Sequence, residues 1–340
     1  MRAFIWGSFS LLLLSCQFFD AGSTTDNQNP HLSQEEALLR SQNISQLQYA
    51  LSIDISQEDA FWGKTRLDFN LKNPADLRLD FVGGQIESLS VNGEKLSEHG
   101  YNNTFLLLPE GLLKKGRNTV RIQYSHPYSL GGRGLYRFKD PSDGKAYLYS
   151  NLSSFGANKM FPCFDQPDLK APIQLEVLAP IGWQVVSAEV EASQGQRGNL
   201  MRWVFPQSKP LFVDHFSLHA GDFHVWEGEW KDGESVKPLR LFARKKVAEF
   251  VDWENWLSWT KKGLEYYQEE FSLAYPFSKF DQVIVPDMNE SSAENTAALL
   301  INENEFIFRQ EKTPSQKRLF QETLLKGLGG MWFGHFVTMT

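Results

Sequence analysis

From Leu47 to about Glu229, apolar residues recur at every second position, and no helical period of useful length interrupts them. Tyr49, Leu51, Ile53 and Ile55 alternate with polar residues. Thr65, Leu67, Phe69 and Leu71 repeat the pattern, as do Leu77, Leu79 and Phe81, then Leu89 and Val91. Successive side chains of a strand point to opposite faces, so this period marks strands with one buried face. Val91-Asn92-Gly93-Glu94 is a turn signal between two of them. Further strands are expected at residues 105–108, 119–124, 146–149, 173–178, 184–187, 201–205 and 215–220. Residues 47–236 therefore read as one antiparallel β domain.

The character changes near Leu239. Leu239, Leu241 and Ala243 close one strand, and from Val247 to Phe271 the spacing turns helical. Phe250, Trp253, Leu257, Leu264, Tyr267 and Phe271 share a face there. Ala274-Tyr275-Pro276-Phe277 breaks that helix, and residues 282–285 form a short apolar strand. Thr313-Pro314-Ser315-Gln316 starts another helix, with Thr as N-cap, Pro at the first helical position and Gln two residues on. The fold class is α+β: an antiparallel β domain, then a mixed α/β region at 237–340. No internal repeat is visible.

The chain has 340 residues, 41% hydrophobic and 22% charged, enough for two cores. Its net charge of −7 argues against nucleic acid as a partner, because a phosphate-binding surface needs a basic excess. Residues 1–16 read as a signal peptide. Arg2 supplies the positive start, and Phe4 to Leu14 is apolar apart from Gly7, Ser8 and Ser10, too short for a membrane span. Leu13-Leu14-Ser15-Cys16 has the form of a bacterial lipobox, with Cys16 as the lipid-bearing residue. An ordinary cleaved signal peptide with a chance Cys is the other reading. Either way the chain is exported, and the lipobox makes it a membrane-anchored lipoprotein on the periplasmic or cell-surface side. The second cysteine, Cys163, then has no partner within the chain, so no disulfide framework holds the fold. Residues 17–46 are a polar tether, with a short helix at 33–42.

Four stretches, in order, resemble the aminopeptidase N family of gluzincin zinc aminopeptidases, amino-terminal half only. They are residues 134–149 (GLYRFKDPSDGKAYLY), 160–171 (MFPCFDQPDLKA), 283–295 (VIVPDMNESSAEN) and 331–339 (MWFGHFVTM). The resemblance implies a saddle-shaped β domain followed by the start of a thermolysin-like catalytic domain, truncated at residue 340. It also implies removal of single residues from peptide N-termini. The family's zinc, held by His-Glu-x-x-His and a later Glu, activates water, with the motif Glu as general base.

The zinc motif itself is degenerate here. With Trp332-Phe333-Gly334 fixing the register, the family's first His falls on Lys326, its base on Gly327 and its second His on Gly330. The resemblance places the third ligand beyond Thr340. A protonated Lys has three donors and no lone pair, so Lys326 repels Zn²⁺. No metal ligand and no intact catalytic residue is expected, and no cofactor. A phosphate-loop reading of Lys326–Gly330 fails, since no Lys-Ser/Thr follows and no strand precedes. Three glycines at 327, 329 and 330 cost roughly 1 kcal/mol each in a helix, so the helix starting near Pro314 is expected to fray around Lys326. His215 and His219 are expected on the exposed face of a strand, too far apart to share an ion. His335 stands as a single imidazole.

The resemblance keeps part of the substrate site. Glu294 and Asn295 match the family's Glu-Asn pair, in which the Glu holds the peptide's free α-amine. Asn151 stands where members usually have a Gln that also contacts the amine. Ser291, Ser292 and Ala293 replace the Gly-Ala-Met before the pair. Two readings of Glu294 stay open, an amine anchor or an inherited residue in an idle loop. Met331, Trp332, Phe333, Phe336 and Val337 are expected to be partly exposed and to offer a patch for a protein partner. The function implied is an exported, non-catalytic relative that binds peptides with a free N-terminus. The alternative is an active zinc aminopeptidase whose missing ligands come from another chain, and a decayed product without function stands behind both.

Overall fold

The alternation between Leu47 and Phe205 builds one eight-stranded sheet. The computed structural model describes residues 32–337. The signal segment with Cys16 and the first part of the tether lie outside the described residues. The sheet runs Ser193–Arg197, Leu200–Phe205, Ile173–Pro180, Ile44–Asp54, Ala60–Leu71, Gly116–Pro127, Gln85–Val91, Glu94–Leu96. Its pairs are antiparallel except Ile44–Asp54 with Ile173–Pro180, which is parallel. One face carries Tyr49, Leu51, Ile53, Leu67, Val120, Ile122 and Leu175, all buried. It packs on a three-stranded sheet (Leu77–Asp80, Phe105–Leu108, Gly100–Tyr101) and a four-stranded one (Gln184–Val186, His219–Gly221, Ala146–Asn151, Gly134–Lys139).

The 160–171 stretch threads this core. Phe161 stacks edge-on against Tyr49 and Phe164 against Phe69, at 6.1 and 5.6 Å between ring centroids. The Phe164 amide donates to the Tyr49 hydroxyl at 3.0 Å. Cys163 is a buried free thiol that bridges to Asp80 through backbone hydrogen bonds. Helix α1 (Gln34–Asn43) opens with a capping box of Ser33 and Glu36. It docks through Arg40, whose guanidinium meets the buried Asp80 carboxylate at 2.8 Å.

A five-stranded sheet follows: Phe223–Asp232, Ser235–Arg244, Phe280–Val285, Ala298–Asn302, Ser292–Asn295. It begins at Phe223, ahead of residue 237, because Phe223–Asp232 pairs along its whole length with Ser235–Arg244 around Gly233 (φ 61°). Its two central junctions are parallel, and Phe280–Val285 and Ala298–Asn302 are buried on both faces, as parallel strands covered on two sides are. One face meets helices α2 (Trp253–Phe271) and α4 (Pro314–Trp332) through Trp256, Leu264, Leu324, Leu328 and Trp332; the short α3 (Glu303–Phe306) lies between them in sequence. The other face packs Val283, Val285 and Leu300 on Tyr147, Tyr149 and Val186 of the four-stranded sheet. The architecture is α+β.

Helix α2 starts at Trp253 rather than Val247, because the Asp252 side chain caps it by accepting from the Asn255 amide and 245–250 is a 3₁₀ turn. Helix α4 starts as its sequence dictates, with the Thr313–Gln316 capping box and Pro314 in its first turn.

Candidate functional site

Helix α4 runs unbroken to Trp332, past the three glycines expected to fray it. Their missing side chains are what lets the helix lie close to its neighbours. A Cβ on Gly327 would stand 2.7 Å from Leu299 Cδ1, and one on Gly329 3.2 Å from the Tyr267 ring. The glycines cost roughly 3 kcal/mol together. Leu324, Leu328, Met331 and Trp332, all at most 1% exposed, each return about 1.5–3 kcal/mol on burial, so packing outweighs propensity. Met331 and Trp332 are therefore not exposed, contrary to the expectation: Trp332 lies among Tyr267, Phe271 and Tyr275 and donates from Nε1 to the Leu273 carbonyl at 2.9 Å. Phe333, Phe336 and Val337 do face outward.

Gly330 stands at the position to which the resemblance assigns the second zinc-binding His. Its absent Cβ would stand 2.1 Å from Glu294 Oε2. The carboxylate of Glu294 thus occupies the space beside the helix into which a side chain at 330 would project. Burial raises the Glu294 carboxyl above its ordinary value, and the charge of Lys326 pulls the other way. Lys326 itself is exposed. Lys326, Gly327 and Gly330 offer no lone pair to zinc, and among the described residues no group of three or more His, Cys, Asp or Glu side chains converges to hold a metal. The residues present do not fit the ion.

The histidines lie elsewhere than expected. His215 ends a 3₁₀ turn, Val213–His215, and is not on a strand. His219 is on a strand but wholly buried, not on an exposed face, because both faces of the four-stranded sheet are covered. Burial pushes its imidazole down to about 3, with the neighbouring Asn295 side chain pulling the other way. His335 is not alone: its ring lies 4.1 Å from that of His215, with Thr296 Oγ1 3.3 Å from its Nδ1. Burial lowers both of these imidazoles as well. Sequence spacing gave no sign of this pair, which joins two turns 120 residues apart by sequence number.

Strand alternation separates the Glu-Asn pair. Glu294 faces helix α4, whereas Asn295 is buried beside His219, with its Oδ1 unpartnered. Asn151 ends the strand Ala146–Asn151, and its Oδ1 accepts from Ser153 Oγ at 3.1 Å. It borders a cavity of about 120 Å³ with Arg133, Tyr149, Asp287, Asn289 and Glu290. Glu294 does not line that cavity. Its wall is held by two tyrosines: Tyr149 donates to the Asp287 carbonyl at 2.6 Å, and Tyr136 donates to the Asp287 carboxylate. Residues 136, 149 and 287 all sit in the stretches that carried the resemblance, yet their cross-strand meeting was not visible there. An arginine, two carboxylates and two amides around one small cavity suit a zwitterionic end group.

Comparison with known proteins gives matches along most of the chain. The family model described as the Peptidase M1 N-terminal domain matches residues 45–211, and that of the Peptidase family M1 domain matches residues 256–340. An aminopeptidase N of Streptomyces lividans is 32% identical over 315 residues, 91% of this chain and 36% of that protein. Aminopeptidase M1-C of Oryza sativa subsp. japonica is 25% identical over 274 residues, 80% of this chain and 30% of its own length. An aminopeptidase N of Acetobacter pasteurianus is 29% identical over 287 residues, covering 82% of this chain and 79% of that sequence. The chain spans about a third of the length of the first two.

Proposed function

This chain belongs to the aminopeptidase N family of M1 peptidases, and from that premise we propose that it binds peptide N-termini without hydrolysing them. The reading includes export and a lipid anchor on Cys16, with peptide as the partner and Phe333, Phe336 and Val337 as a patch for a protein partner. One observation carries it: the Glu294 carboxylate lies against Gly330, the helix position that family members give to a zinc-binding His. A chain with Lys326, Gly327 and Gly330 at the metal positions keeps the amine-binding carboxylate and loses the water-activating ion. The Asn151 cavity adds Asp287 and Glu290 for an ammonium group. Glu294 makes no ion pair within 4 Å among the described residues, so its charge is open to a ligand amine.

Calorimetry with alanyl dipeptides tests this. Saturable binding is expected, weakened roughly tenfold or more by N-acetylation of the peptide and by Glu294→Gln, in line with about 1.5–3 kcal/mol for a charge-assisted hydrogen bond. Equal binding of free and acetylated peptides, or none of either, sinks the proposal.

A further inference from the structure

The outer face of the eight-stranded sheet holds a groove of about 340 Å³ that the peptidase chemistry does not use. Its floor is the pair of small residues Ala50 and Ser52 on the strand Ile44–Asp54. One bank is formed by Lys64, Arg66 and Arg121, all exposed. The other carries Glu176 and Arg202, which pair with each other at 2.5 Å. Four cations and one carboxylate thus line the groove, in a chain whose net charge is −7.

The register makes this arrangement costly. Arg66 and Arg121 are direct cross-strand partners, and like charges placed opposite one another destabilise a sheet. Arg66 is partly neutralised by Asp68 at 2.8 Å. The Arg121 side chain has neither an ion pair nor a hydrogen bond among the described residues, and Lys64 makes no ion pair within 4 Å there, although its charge helps to lower the Glu176 carboxyl. The lining's single carboxylate is committed to Arg202. A bound oxyanion would relieve the repulsion between Arg66 and Arg121, with Lys64 adding a third positive charge beside it.

We propose that this groove is a binding site for a small, soluble phosphate-bearing ligand, held by Lys64, Arg66 and Arg121 over the Ala50–Ser52 floor. Arginine forks suit phosphate oxygens in pairs, and lysine adds a point charge. The volume is that of a small-molecule site, at the lower end of roughly 300–1,000 Å³. The alternation places the charged side chains on the face opposite the apolar core, while Leu51 and Thr65, buried on the core side, border the groove between them.

Titration calorimetry of the full chain with inorganic pyrophosphate in low-salt buffer is the test. One saturable site is expected, weakening steeply with added salt, as screening by counter-ions requires. Arg121→Gln and Lys64→Gln should each weaken it roughly tenfold, while Lys231→Gln on the five-stranded sheet leaves it unchanged. Both groove residues are exposed, so both variants should fold, with Arg121→Gln at least as stable as wild type because the repulsion from Arg66 is gone. Absence of saturable binding at about 5 mM pyrophosphate, or equal binding by the variants, overturns the proposal. So does cosedimentation with anionic phospholipid vesicles when pyrophosphate itself does not bind, since that makes the face a membrane contact.

Discussion

Asp281→Ala should lower the stability of the chain by about 3–5 kcal/mol, enough to leave many domains partly unfolded. Asp281 and Lys279 are both fully buried and meet at 2.7 Å; Arg240 meets the same carboxylate at 2.7 Å and Glu191 at 2.9 Å. Burial alone would raise the Asp281 carboxyl, but the charges of Lys279 and Arg240 outweigh it and hold the group below its ordinary value. Among the described residues, removing the carboxylate leaves Lys279 hydrogen-bonded to the Ala297 carbonyl, at 3.0 Å, with no ion pair, and leaves Arg240 paired with Glu191. An unpaired buried ammonium is the larger part of the cost. The network also ties Glu191, which follows the four-stranded sheet, to the strand Phe280–Val285 that leads into the Asp287 wall of the Asn151 cavity. Urea unfolding of the variant beside wild type measures the effect. A change below about 1 kcal/mol would show that the network is worth no more than a surface pair.

A second loss of the same order, about 3–5 kcal/mol, is expected for Asp80→Ala. Asp80 is fully buried and takes Arg40 at 2.8 Å and Arg78 at 3.1 Å, two guanidinium groups with little exposure of their own. It also accepts from the Asp165 amide at 3.2 Å. Arg40 anchors α1 alongside the Ala37 carbonyl and Asn43, so loss of its carboxylate partner should loosen the helix as well as destabilise the core. Native-state hydrogen exchange distinguishes this from a uniform loss: amides of α1 should exchange at rates far above wild type, ahead of those in Ala60–Leu71. Unchanged protection of α1 would mean that its capping box and packing hold it without Arg40.

The β architecture was legible because its signal is local. Tyr49, Leu51 and Ile53 alternate with polar residues whatever the strand pairs with, and Thr313 caps a helix with its own neighbours. The family was legible for the same reason, as four short stretches in order. What the sequence hid depends on contacts across the chain. The glycines of α4 read as breakers because propensity is a property of the segment, while Leu299 and Tyr267, which need their small size, lie elsewhere. His219 reads as half-exposed by alternation, yet a second layer covers its sheet. The parallel pairing of Ile44–Asp54 with Ile173–Pro180 leaves no mark in either strand. At the site, the identities of Lys326, Gly327 and Gly330 are local and could be read directly. That Glu294 lies over Gly330 while Asn295 turns to His219 follows from strand alternation, but only once helix α4 is in place.

The proposed binding without hydrolysis requires that helix α4 hold no zinc. Four-coordinate zinc needs three or four lone-pair donors at about 2.0–2.3 Å, and the helix supplies none at the family's positions. Metal analysis of the purified chain, after incubation with excess zinc and removal of the free ion, tests this most directly, paired with release of product from an alanyl chromogenic substrate. Zinc well below one ion per chain and no release above buffer are the expected results. About one zinc per chain together with turnover would contradict the proposal, and would mean that ligands from another chain complete the site.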